Sequence, residues 1–129
     1  MIVKGLILLY LTGFGHVLNM QEPQRISAKR FYALITKHPN ALIIDVRPSD
    51  KYALYRIENA MPLPTKAQLI EIANDLPKQD TLFVYCEKEL RSGPAVELLD
   101  SLGFKNVFEL KGGLISWRRN SLPIDDNAL

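Results

Sequence analysis

The chain has very little of what redox and metal chemistry require. Its 129 residues include one cysteine, Cys86, and two histidines, His16 and His38. A single cysteine excludes an internal disulfide, and two distant histidines give no metal-ligand spacing, so neither a metal nor an organic cofactor is expected. An excess of charge of one sign is also missing. Sixteen basic residues against fourteen acidic ones leave +2, which argues against nucleic acid or an anionic membrane surface as a partner. Internal repeats and low-complexity stretches are absent. No apolar run reaches the roughly 20 residues of a spanning helix.

What remains is the make-up of one globular domain. Apolar residues are 47% and charged residues 23% of the chain, ordinary values for a core-forming protein of this length. Met1 to Met20 stands apart, with Lys4 as its only formal charge and an apolar stretch from Gly5 to Leu11. A basic start followed by a short apolar stretch has the form of a secretory signal. Gly13-Phe14-Gly15 offers a small-x-small cleavage site. The favoured reading is an exported, periplasmic product whose domain runs from 21 to 129. An uncleaved anchor, or translation from Met20 giving a cytoplasmic product, are the alternatives, and stable membrane association is expected only if the segment is retained.

The rest alternates short apolar runs with helical patterns. Gln24 to Ile26 suits an edge strand. Ser27 is a good N-cap for a helix with Phe31, Leu34 and Ile35 on one face. His38-Pro39-Asn40 ends that helix, which makes His38 a solvated turn residue. Ala41 to Val46 is a continuous apolar run of the kind covered on both faces. It closes on Asp45 and Arg47, whose alternate positions let them share one side of the strand end. They form either a structural ion pair, the favoured reading, or a charge pair facing a ligand. Pro48 to Tyr55 reads as a short helix and Ala60 to Leu63 as a brief strand. Thr65 and Gln68 form a capping box for a helix whose apolar face is Leu69, Ile70, Ala73 and Leu76. Asn106 to Leu110 is a further strand, Lys111-Gly112-Gly113 a tight turn, and Ile115 and Trp117 belong to a terminal helix with Trp117 as a core anchor.

The most informative stretch is Thr81 to Gly103. Thr81 to Tyr85 is a β-branched and aromatic strand, and a helix starts near Ser92 and Pro94, with Val96, Leu99 and Leu102 at helical spacing. Cys86 opens the connection. In open α/β sheets ligands bind beyond the carboxyl ends of strands, where helix N-termini present unpaired N–H groups. Such surroundings can lower a thiol pKa from about 8.5 to roughly 3.5–7.5 and make a nucleophile. Lys88 and Arg91 would assist, and Glu87 and Glu89 would oppose. A lone cysteine at a strand end is also a common small buried hydrophobe. The alternation of strands and capped helices predicts a parallel α/β sheet, and it brings Asp45, Arg47 and Cys86 to the same edge.

In this order, Ile44-Asp45-Val46-Arg47, then Ile57 and Ala60 ahead of Pro64, then Leu82 to Cys86 with Arg91-Ser92, then Gly112-Gly113 and Trp117, the residues resemble a single-domain rhodanese over about Arg25 to Pro123. The resemblance implies a three-layer α/β fold, a five-stranded parallel sheet flanked by helices on both faces. It places the sulfur-carrying cysteine at Cys86, the substrate-binding loop at Glu87, Lys88, Glu89, Leu90 and Arg91, with Arg91 closing it, and structural support at Asp45, Arg47 and Ser92. Four residues lie between Cys86 and Arg91, which matches the sulfur-transfer loop; related phosphatases use one residue more. The implied activity is transfer of a sulfane sulfur from a donor such as thiosulfate to a thiol or cyanide, by a monomer. A non-catalytic binding or sulfur-carrier module is the rival.

The chain departs from the family pattern in its loop, where Glu89 replaces the frequent glycine. Tyr55-Arg56-Ile57 replaces Gly-His-Ile, and Lys51 replaces an acidic residue. Glu89 is expected to alter the loop shape and, with Glu87, to weaken attraction for a dianionic donor.

Overall fold

The structure is a computed structural model and describes residues 22–129. The N-terminal apolar segment, its proposed cleavage site and the alternative start at Met20 lie outside the described residues. Among the described residues, five strands and five helices follow one another in the order β1 (Gln24–Ile26), α1 (Ala28–Lys37), β2 (Leu42–Asp45), α2 (Ser49–Leu54), β3 (Met61–Pro62), α3 (Lys66–Asn74), β4 (Thr81–Tyr85), α4 (Ser92–Ser101), β5 (Asn106–Leu110) and α5 (Gly113–Arg119). The strands form one parallel sheet in the order β1-β5-β4-β2-β3. No helix among the described residues is long and apolar enough to cross a membrane.

Two cores sandwich the sheet, giving three layers. On one face Ile44, Leu82, Val84 and Val107 pack against Leu69 and Ala73 of α3 and Ala95, Val96 and Leu99 of α4. On the other face Ile43, Phe83, Tyr85 and Leu110 meet Ala28 and Phe31 of α1 and Leu114 and Trp117 of α5. The two-residue period of a strand decides which side chain goes where. In β4 that period puts Leu82 and Val84, and beyond the strand Cys86, on the α4 side.

The sequence signals work locally as expected. Ser27 Oγ accepts the Arg30 amide at 3.2 Å, and Thr65 and Gln68 complete their reciprocal cap. Trp117 is buried in the core and donates its indole N–H to the Pro123 carbonyl at 2.8 Å. His38 is an exposed helix end. Two expectations need correction. The strand expected over Ala60 to Leu63 shrinks to Met61–Pro62, paired only with Ile44 and Asp45, because Pro62 and Pro64 bring no N–H to a ladder. On α3 it is Ile72, not Ile70, that packs with Leu69, Ala73 and Leu76 against the core; positions i, i+3, i+4 and i+7 share a helix face.

Candidate active site

β2 and β4 are adjacent, and the chain leaves them toward opposite edges of the sheet. The carboxyl ends of such a strand pair form the crevice where open α/β sheets place ligands. Arg47 emerges from β2 there and Cys86 from β4.

Cys86 is 2% exposed. Apolar side chains surround it on one side, and the start of α4 meets it on the other. The Ser92 amide donates to Sγ at 3.3 Å, and the thiol donates to Ser92 Oγ at 3.4 Å. Sulfur thereby takes one of the amides that the first turn of a helix leaves unpaired. Among the described residues, no hydrogen bond joins the amides of residues 87–91 to Sγ. Ser92 itself is fully buried, and its hydroxyl makes a short 2.7 Å bond to Glu109 Oε2.

The loop from Glu87 to Arg91 is tied down from beneath. The Leu114 and Ile115 amides donate to the carbonyls of Cys86 and Glu87 at 2.9 and 3.1 Å. The Gly112 amide donates to Glu89 Oε2 at 2.7 Å. Gly113 has φ +64°, and a Cβ there would lie 2.3 Å from the Lys88 carbonyl oxygen. The double glycine thus lets the β5–α5 turn press against the loop. Lys88, Leu90 and Arg91 face solvent, and neither the Lys88 nor the Arg91 side chain makes an ion pair or hydrogen bond among the described residues. The loop's ties therefore come from Glu87, Glu89 and the β5–α5 turn, not from the Arg91 guanidinium. Glu87 bonds to Arg47 at 3.2 Å, and Glu89 lies 3.8 Å from Arg25. Both loop carboxylates thus carry a countercharge.

Asp45 and Arg47 are wholly buried and joined by a bidentate pair, with Arg47 Nε and Nη2 reaching the carboxylate at 2.8–3.1 Å. Arg47 also donates to the Tyr55 carbonyl and lies over the Tyr55 and Tyr85 rings. Burial works against the guanidinium charge, and the bonds and charge of Asp45 outweigh it, so the Arg47 pKa is raised. Burial, aided by Asp45, also pushes the Tyr85 hydroxyl upward. Among the described residues, the pair's one link to the loop is Glu87.

A family model for the rhodanese-like domain matches residues 27–120. The chain belongs to the rhodanese-like domain family. It is 33% identical over 85 residues to a sulfurtransferase of Allochromatium vinosum, covering 66% of this chain and 78% of that one. It is 32% identical over 104 residues to the thiosulfate sulfurtransferase GlpE of Coxiella burnetii, covering 81% and 95%. The solution structure of the rhodanese-like domain of the Anabaena Alr3790 protein superposes with a TM-score of 0.71 at 32% identity, over 83% of this chain and 81% of that one. The chain also spans about a quarter of longer curated relatives named adenylyltransferase and sulfurtransferase.

Sequence reasoning about this rhodanese-like site missed Glu109 and Arg25. They are register partners on β5 and β1 and pair at 3.3 Å, with Glu109 4% exposed. One signal was present. Glu109 shares its phase in the strand with the buried Val107, so it points toward α4 and Ser92. From the sequence Arg56 is only a departure from the family's histidine. It is buried and pairs with Asp125 at 3.4 Å while donating to the Asn127 carbonyl, which pins the C-terminal segment.

Proposed function

We propose that this chain is a sulfurtransferase that carries a sulfane sulfur on Cys86 as a persulfide. The observation that carries this reading is the position of the Cys86 sulfur. It sits at the carboxyl end of the central strand, takes the Ser92 amide from the start of α4, and heads a loop of sulfur-transfer length. The relatives named sulfurtransferase and thiosulfate sulfurtransferase support the reaction class.

The Cys86 thiolate attacks the outer sulfur of thiosulfate. The new S–S bond forms as the old one breaks, and sulfite leaves with the electron pair. An acceptor thiolate, or cyanide, then attacks the outer sulfur of the persulfide and leaves with it, regenerating the thiolate. These are two half-reactions with ping-pong kinetics. The Ser92 amide is fixed before the reaction and aimed at the sulfur, so it stabilises negative charge without reorganising. Because Glu87 and Glu89 are paired, Lys88 and Arg91 are the charges left to attract an anionic donor. The protein acts as a monomer in the exported compartment, and N-terminal sequencing of the mature chain tests the location.

The depth of Cys86 favours one rival, a non-catalytic module that binds a partner or holds sulfur without turnover. Thiocyanate formation from thiosulfate and cyanide separates the two. Turnover by wild type, lost in Cys86→Ser with the fold retained, is the expected outcome. Equal rates for both proteins eliminate the persulfide mechanism, and the absence of turnover in wild type favours the module.

A further inference from the structure

We infer that Glu109 is a positioning residue that sets the protonation of Cys86 through the Ser92 hydroxyl. The inference rests on the reading of Cys86 as the reacting sulfur. A serine hydroxyl has one proton to give. Ser92 gives it to the Glu109 carboxylate at 2.7 Å, in preference to the Glu89 carbonyl at 3.4 Å, leaving its oxygen at 3.4 Å from Sγ as an acceptor only. That arrangement suits a thiol and not a thiolate. When the thiol releases its proton to solvent, the sulfur meets an oxygen lone pair, with a buried carboxylate behind it. Glu109 thus withholds from the nucleophile the second donor that Ser92 carries, and leaves only the backbone amide at 3.3 Å.

Arg25 sets how strongly the carboxylate is felt. Its guanidinium reaches Glu109 at 3.3 Å from the half-exposed edge strand, and Glu89 lies 3.8 Å from the same group. Among the described residues, the remaining charges around the sulfur are accounted for. Glu87 is held by Arg47, which is held by Asp45. Lys88 and Arg91 stand in solvent on the loop. Tyr85 lies on the opposite face of β4. Glu109 is therefore the buried charge that faces the Ser92–Cys86 contact, and Arg25 is its counterweight.

The test is the rate of alkylation of Cys86 by iodoacetamide against pH, which needs no sulfur donor. A like charge nearby raises the pH at which a thiol ionises by about a unit or more. Glu109→Gln should move the midpoint of the alkylation profile down by about one unit. The gain in rate at neutral pH should be only about threefold, because nucleophilicity falls as ionisation becomes easier. Arg25→Ala should move the midpoint up, since it leaves Glu109 without its countercharge. A structural role alone would not give opposite shifts, so unmoved midpoints, or shifts of the same sign, overturn the inference. In the Ser92→Ala background the Glu109→Gln shift should fall to less than half; an undiminished shift would mean that the hydroxyl plays no part and would also overturn it. If Glu109→Gln does not fold, Arg25→Ala decides by its sign alone. Sulfur loading from thiosulfate, measured separately, keeps the two readings apart. Loading with unmoved midpoints defeats this inference only, and opposite shifts without loading defeat only the sulfurtransferase reading.

Discussion

Two buried polar clusters lie at the carboxyl ends of the strands, and they are built for different ends. At β2, Asp45 and Arg47 satisfy each other with a bidentate pair, and two tyrosine rings and a carbonyl take up the rest of the guanidinium. At β4 and β5, Cys86, Ser92 and Glu109 share too few protons for every neighbour to be satisfied in both charge states of the thiol. The first cluster is closed on itself. The second suits the thiol and lacks a side-chain donor for the thiolate, so its balance changes when Cys86 gains or loses a proton. Burial alone therefore does not tell architecture from chemistry; the count of protons against acceptors does.

Arg47→Met attacks the first cluster and should have the larger effect on stability. Removing one partner of a buried pair costs about 3–5 kcal/mol, because the other charge stays buried. Urea unfolding measures it, and a loss below about 1 kcal/mol would show that Asp45 finds other partners and would break the comparison. Gly113→Ala should come next, at about 2–5 kcal/mol from the left-handed backbone and the collision with the Lys88 carbonyl. It should also displace the loop, so alkylation of Cys86 should change along with stability. An unchanged alkylation rate would mean that the β5–α5 turn does not position the loop. Glu89→Gly should have the smallest effect on stability, about 1 kcal/mol for the lost bond to Gly112. It should raise thiosulfate turnover if loop acidity limits the donor; an unchanged rate rejects that cause, in keeping with Arg25 already countering the charge.

Much of this was legible because its causes are local. Ser27, Thr65 and Gln68 announce helix starts by their own backbone bonds, and the parity of β4 places Cys86 on a definite face. Asp45 and Arg47 are two residues apart, so their meeting follows from strand geometry. The Arg25–Glu109 pair spans 84 positions, and strand phase turns Glu109 toward α4 without naming its partner. Glu109 reads as a polar interruption in a short strand until Ser92 and Arg25 are seen to converge on it. The same holds for Glu89. From the sequence its replacement of glycine suggests a change of backbone shape, whereas the backbone there takes no positive φ and the carboxylate instead anchors the Gly112 amide. Residue identity was visible; the partner was not.

The central claim is that Cys86 accepts a sulfur atom from a donor. Intact-mass spectrometry of the folded protein after incubation with thiosulfate, followed by removal of excess donor, tests it most directly. The account predicts a gain of one sulfur on wild type, reversed by cyanide and absent from Cys86→Ser. A wild-type mass that stays unchanged, or the same gain on the serine variant, would contradict it.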